Sequence, residues 1–237
     1  MKYVKQMVVL IIVIFLIGVP LTVSAIGTGL TTEVLSNEEN SELLKKNEFL
    51  KFTPHSLLAA NCFDVSDDHM VVIGADAGDT AVIMVYDDCG NFQYGFEKKE
   101  LGSFRVMWSE NNIAYYSIRS GLLYEINKDG RITNICQVAN TTKNSIYDRD
   151  VLQSTTRKVD GITYHMTNEL GVFDKFLGTF KKIIKTDTTG TTVIYDASDN
   201  QRANIIGGVL FLGVLLIFIT ITIILGIKKQ FIQKKMS

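Results

Sequence analysis

Residues 205–227 form the segment that most constrains this chain, because none of these 23 residues is ionisable. As a helix rising about 1.5 Å per residue, the segment is about 34 Å long, enough to cross the hydrocarbon core of a bilayer. A helix packed on a soluble core has a polar face, and this one has none. The pattern predicts a transmembrane helix over 205–227.

The tail after this segment is basic, since four of the ten residues 228–237 are lysines. Cationic flanks are retained in the cytoplasm, so the tail is predicted to be cytoplasmic. The residues before the helix, including a juxtamembrane linker over 198–204, are then predicted to lie outside.

The N-terminal segment, residues 1–25, allows two interpretations. Lys2 and Lys5 precede an apolar run, and the segment ends in the small residues Val-Ser-Ala. This pattern is typical of a signal peptide cleaved after Ala25, and it also suits an uncleaved first transmembrane helix. Both interpretations place residues 26–204 outside the cytoplasm.

Charge is divided unevenly along the chain. The flanks hold six of the 24 basic residues, so the central part has 18 basic and 25 acidic residues, a net charge of -7. An acidic surface repels phosphates, which argues against nucleic acid as a partner.

Residues 26–59 are interpreted as a stalk that contains a short amphipathic helix. Ser36 and Glu39 have the spacing of a capping box, in which each side chain accepts from a free amide at a helix start. Leucines follow at helical spacing, and Pro54 ends the run. The pattern predicts a helix over about 37–51.

From residue 60 to residue 197 the pattern changes to short β-branched and aromatic runs with a period of two, which predicts strands. Eight runs form two sets of four. They contain Phe63 and Val65, 70–73, 81–86, Phe92 to Phe96, Phe104 to Trp108, 113–118, 122–126, and Ile132 to Val138. A looser third set comprises 151–159, 162–166, 182–185 and 191–195, with an insertion over 168–180.

The first two sets indicate a repeat of about 40 residues. Phe63 and Phe104 are 41 residues apart, and the turn glycines Gly90 and Gly130 are 40 residues apart. Four-stranded units of this length resemble the blades of β-propellers, a broad architecture without one function. The competing fold is an antiparallel sandwich, so the chain is expected to hold an all-β exported domain of one kind or the other.

Closed propellers use about four to eight blades, and this chain supplies at most three. Three open blades leave unpaired strand edges, which predicts a homo-oligomer or completion by a partner.

The sequence predicts no catalytic, cofactor-binding or metal site and no cofactor. The three cysteines, Cys62, Cys89 and Cys136, are an odd number without metal-ligand spacing, and they are interpreted as semi-buried thiols with at most one bridge. His55, His69 and His165 are interpreted as structural or solvated. The acidic pairs at 67–68 and 87–88 suit turns, although the second pair weakly resembles a calcium loop.

The function expected from these features is that of a non-enzymatic binding or scaffold module. It would be tethered to the cell membrane of a bacterium, with the lipid bilayer and a protein or cell-envelope ligand as partners. The alternative is an accessory subunit of a membrane transport, secretion or signalling complex.

Overall fold

A computed structural model of the protein describes residues 26–54, 57–176 and 178–198. No helix within these ranges has the length and apolar character needed to cross a bilayer. The predicted signal peptide or anchor at 1–25, the transmembrane helix at 205–227 and the basic tail all lie outside the described residues.

The described chain is mostly antiparallel β-structure with a few short helices. The main helices are α1 (Asn37–Lys46) and α2 (Thr142–Tyr147). The strands are β1 (Thr32–Val34), β2 (Leu50–Lys51), β3 (Ala60–Val65), β4 (Val71–Asp76), β5 (Thr80–Tyr86), β6 (Phe92–Lys99), β7 (Phe104–Ser109), β8 (Asn112–Ser117), β9 (Leu122–Ile126), β10 (Ile132–Val138), β11 (Thr156–Val159), β12 (Ile162–Thr167), β13 (Lys182–Asp187) and β14 (Gly190–Asp196).

The strands form three sheets, each built on four consecutive strands that pair as neighbours. Sheet I has the order β2-β6-β5-β4-β3, sheet II has the order β1-β10-β9-β8-β7, and sheet III has the order β11-β12-β13-β14. The three predicted sets of strands fall on these three sheets. The all-β fold class is therefore confirmed.

Sheet I lies between the other two sheets. One of its faces packs on sheet III in a cluster that includes Phe63, Ile73, Tyr164 and Ile183. The opposite face packs on sheet II. Alternate residues of a strand point to opposite faces, so strands buried on both faces must be apolar throughout. β5 has this composition, and Ala81 to Tyr86 are all buried.

Asp64 joins strands from all three sheets. On β3, its Oδ2 accepts from the backbone amide of Trp108 on β7 at 2.9 Å. Its Oδ1 accepts from Nε of Arg157 on β11 at 2.9 Å. The Arg157 guanidinium also lies 5.3 Å from the centre of the Phe63 ring. One carboxylate therefore links β3 of sheet I, β7 of sheet II and β11 of sheet III.

Segment 26–59 differs from the predicted stalk, because it packs against the sheets. β1 pairs with β10, and β2 pairs with β6. Ile26 and Leu30 are buried on the outer face of sheet II. The predicted helix and its capping box are confirmed, since Ser36 and Glu39 cap each other's backbone amides. The helix ends at Lys46, earlier than expected, because the chain extends into β2.

The third set of strands also differs at its start. A strand was predicted over 151–159, but residues Asp148–Leu152 form a π-helix that continues α2, so β11 begins at Thr156. The predicted insertion contains a 3₁₀-helix over Gly171–Phe176. It ends in a β-bridge between Phe180 and Ala60, which ties the insertion to sheet I.

Candidate functional site

A groove of about 470 Å³ lies where α1, the end of β6 and the β8–β9 turn meet. We call it the cationic groove, because its lining includes four basic and two acidic residues. They are Lys46, Lys98, Lys99 and Arg119, with Asp79 and Glu100. This local excess of positive charge occurs on a central part of the chain whose net charge is -7.

The floor of the cationic groove is a buried ion pair. Lys98 Nζ donates to Glu100 Oε2 at 2.9 Å, and the two side chains are only 9% and 11% exposed. Glu100 also accepts from Tyr115 Oη at 3.2 Å and from Ser117 Oγ at 3.1 Å. Burying a charge is costly unless it is paired and hydrogen-bonded, and this network provides both.

Two tyrosine rings complete the floor beneath the ammonium group. Lys98 Nζ lies 5.7 Å from the ring centre of Tyr115 and 5.5 Å from that of Tyr124, within range of cation–π attraction. Burial, and then the nearby Glu100 carboxylate, raise the pKa of Tyr124 to about 12. The same two causes raise the pKa of Tyr115. Both phenols are therefore neutral at physiological pH. Both rings face the ammonium group, and the Tyr115 hydroxyl donates a hydrogen bond to Glu100.

The rim of the groove has two cations that are available to a ligand. Lys99 is engaged by Asp79 at 3.0 Å. Within the described ranges, Lys46 and Arg119 have no carboxylate within ion-pair distance, and both side chains are exposed. The only hydrogen bond recorded for the Arg119 side chain is a long one, 3.4 Å, to the carbonyl of Leu101.

The remaining wall of the groove is apolar. Leu43 and Leu122 are half-buried, and Leu101 is 64% exposed. Asn47, the residue after α1, donates to the Leu43 carbonyl from its backbone amide at 3.0 Å and from Nδ2 at 2.9 Å. The groove thus combines an apolar wall with two cations, Lys46 and Arg119, that lack a carboxylate partner in the described chain.

A second groove, of about 690 Å³, is acidic. The structure brings together the β3–β4 and β7–β8 turns, and their Asp67, Asp68 and Glu110 line it beside Trp108. Asp64 at this groove is already bonded to Arg157. The sequence predicted the turn at 67–68, but not its proximity to the β7–β8 turn.

The acidic pair at 87–88 lies in the β5–β6 turn with Cys89, and these three are the one set of clustered metal-type ligands in the described chain. The Asp87 carboxylate accepts from the backbone amides of Cys89 and Asn91 at 3.0 and 2.8 Å. Asp88 pairs with Lys185 at 3.1 Å. The Asp87 carboxylate therefore serves the turn, as predicted, whereas Asp88 makes a contact with sheet III that was not predicted.

His69 and His165 make separate contacts. His69 Nδ1 lies 3.2 Å from Tyr164 Oη, and His165 Nδ1 lies 3.0 Å from Thr156 Oγ1, so each bonds to a hydroxyl group. His55 lies outside the described residues.

All three cysteines are free thiols. Cys62 and Cys136 are buried, whereas Cys89 is exposed rather than semi-buried. Burial raises the pKa of Cys62 to about 11.

Sequence reasoning missed the cationic groove, because its residues come from four distant parts of the chain. One signal was present. Tyr94, Phe96 and Lys98 alternate along β6, so Lys98 falls at an inward position that is otherwise apolar. A charged residue at such a position requires a buried partner.

A scan against protein-family models and a search of curated proteins found no match for this chain.

Proposed function

We propose that this protein is a binding or scaffold module displayed outside the cell, with its three sheets as the blades of an incomplete propeller. In this proposal residues 205–227 anchor it in the cell membrane and residues 228–237 lie in the cytoplasm. Residues 1–25 act as a signal peptide or a first transmembrane helix. The protein is proposed to lack catalytic activity of its own.

The observation that carries the binding proposal is the cationic groove. Exposed cations without a carboxylate partner beside an exposed leucine contribute little to the stability of the fold, since surface charges and surface leucines are worth little to folding. They are the groups that a ligand can engage. The proposed partner is a cell-envelope component or a protein that presents a complementary surface.

The proposal can be tested by site-specific photo-crosslinking in intact cells. A benzophenone amino acid is placed at position 101, on the groove rim, or at position 128, in the exposed β9–β10 turn, as the control. We expect defined adducts with an envelope component from position 101 and none of these adducts from position 128. The same adducts from both positions, or none from position 101, would contradict a ligand in the groove.

The alternative function is that of an accessory subunit of a membrane complex, and one observation favours it. β1 covers the outer edge of β10, and β2 covers part of the outer edge of β6, but no described strand covers the outer edge of β14. An open edge presents unpaired backbone groups to a strand of another chain. A partner subunit or a second copy of this chain would satisfy them.

A further inference from the structure

We propose that the cationic groove binds an amphiphilic oxyanion, meaning a phosphate or carboxylate attached to an apolar body. This inference rests on the proposed function and specifies its ligand class. Two independent features carry it: the position of the free cations and the position of the exposed apolar wall.

The charge distribution places the anionic group against Lys46 and Arg119. The Lys98 charge is neutralised by Glu100, and the Lys99 charge is neutralised by Asp79. Lys46 and Arg119 supply the uncompensated charge. An adjoining hollow shares Lys46, Lys98 and Lys99 with the groove and adds Glu48 and Glu97, so the positive excess is larger in the groove, where Arg119 also lies.

The chemistry of the two cations favours an oxyanion over a neutral acceptor. An arginine guanidinium presents a planar fork of donors that matches two oxygens of a phosphate or carboxylate. The Lys46 ammonium, in the last turn of α1, adds a mobile point charge. Hydrogen bonds between ionised groups are about twice as strong as neutral ones.

The apolar wall determines what the oxyanion is attached to. Leu101 is 64% exposed, one of the most exposed large apolar side chains in the described chain. It lines the groove with Leu43 and Leu122. A ligand that covers these side chains gains about 0.8 kcal/mol for each methylene group that it buries. A free phosphate or carboxylate ion gains no binding free energy from this apolar wall. An alkyl phosphate contacts both the cations and the wall.

The test is isothermal titration calorimetry on the full chain in a neutral detergent, with three probes. Hexyl phosphate carries the anion and the apolar body, inorganic phosphate carries the anion alone, and hexanol carries the apolar body alone. We expect hexyl phosphate to bind at least about tenfold more tightly than inorganic phosphate, because burying two methylene groups is worth that factor. Hexanol is expected not to bind measurably.

Matched variants assign the binding to the groove. Lys46→Gln with Arg119→Gln should weaken hexyl phosphate binding by about a hundredfold, since each of the two charged contacts is worth about tenfold. Lys128→Gln with Arg131→Gln removes the same two charges from the exposed β9–β10 turn and should leave the affinity unchanged. Leu101→Ser should weaken binding of hexyl phosphate and not that of phosphate.

Equal binding by both double variants, or no binding of hexyl phosphate, would overturn the inference. Equal affinity for phosphate and hexyl phosphate would overturn its apolar half. If hexyl phosphate did not bind but crosslinks still formed at position 101 in cells, the amphiphilic oxyanion would be rejected as the ligand, and the proposed binding function would stand. Binding in solution without crosslinks in cells would instead reject the proposed function.

Discussion

Replacing Asp64 with alanine is expected to lower the free energy of unfolding by about 3 kcal/mol, because the change leaves a buried guanidinium without its carboxylate. Arg157 is only 13% exposed and lies 2.9 Å from Asp64. The Trp108 amide loses its acceptor as well. Asp64→Asn keeps an oxygen for that amide, so it should cost less than the alanine variant.

Urea denaturation of the full chain in neutral detergent measures this loss. The fluorescence of Trp108, the only tryptophan, reports on the junction of the sheets directly. Asp67→Ala is the matched control, because Asp67 is an exposed carboxylate three residues away, and it should change stability by less than about 0.5 kcal/mol. Similar costs for the two alanine variants would show that Asp64 does not join the sheets.

Replacing Glu100 with alanine is expected to cost about 3–5 kcal/mol, because it leaves the buried Lys98 ammonium unpaired. It also removes the acceptor for Tyr115 and Ser117. Glu100→Gln loses the charge but retains an oxygen acceptor for these hydroxyl groups. It should therefore lower the free energy of unfolding by less than Glu100→Ala does. The same denaturation experiment measures both variants.

The neighbouring ion pair provides the comparison for this prediction. Lys99 and Asp79 lie 3.0 Å apart, but their side chains are 77% and 62% exposed. Exposed pairs contribute about 0–1 kcal/mol, so Asp79→Ala should be almost neutral. If Glu100→Ala lowered the free energy of unfolding as little as Asp79→Ala, the buried ion pair and its hydrogen bonds would not stabilise the fold as described above.

The strand pattern of the fold could be predicted from the sequence, because local periodicity and turn chemistry decide it. The turns at Gly90 and Gly130 illustrate this. Both glycines have φ +85°, a conformation that a side chain opposes. In both turns an Asx side chain, Asp87 or Asn127, accepts from backbone amides two and four residues later. All the residues that define such a turn lie within five positions of one another, so the sequence alone shows where it forms.

The arrangement of the sheets and the groove could not be predicted in this way, because long-range contacts determine them. Asp64 meets a partner 93 residues away, and no local pattern connects it to Arg157. The segment predicted as a stalk joins the sheets through β1 and β2, which are only three and two residues long. Strands this short have too few residues to show a period of two.

The measurement that tests the central claim most directly is labelling of intact cells with a membrane-impermeant maleimide. The claim is that residues 26–198 lie outside the cytoplasm, and among the cysteines only Cys89 is exposed. We predict that intact cells label the protein once, and that Cys89→Ser abolishes the labelling. Labelling of Cys89 only after lysis would contradict an exported domain and, with it, the proposed function.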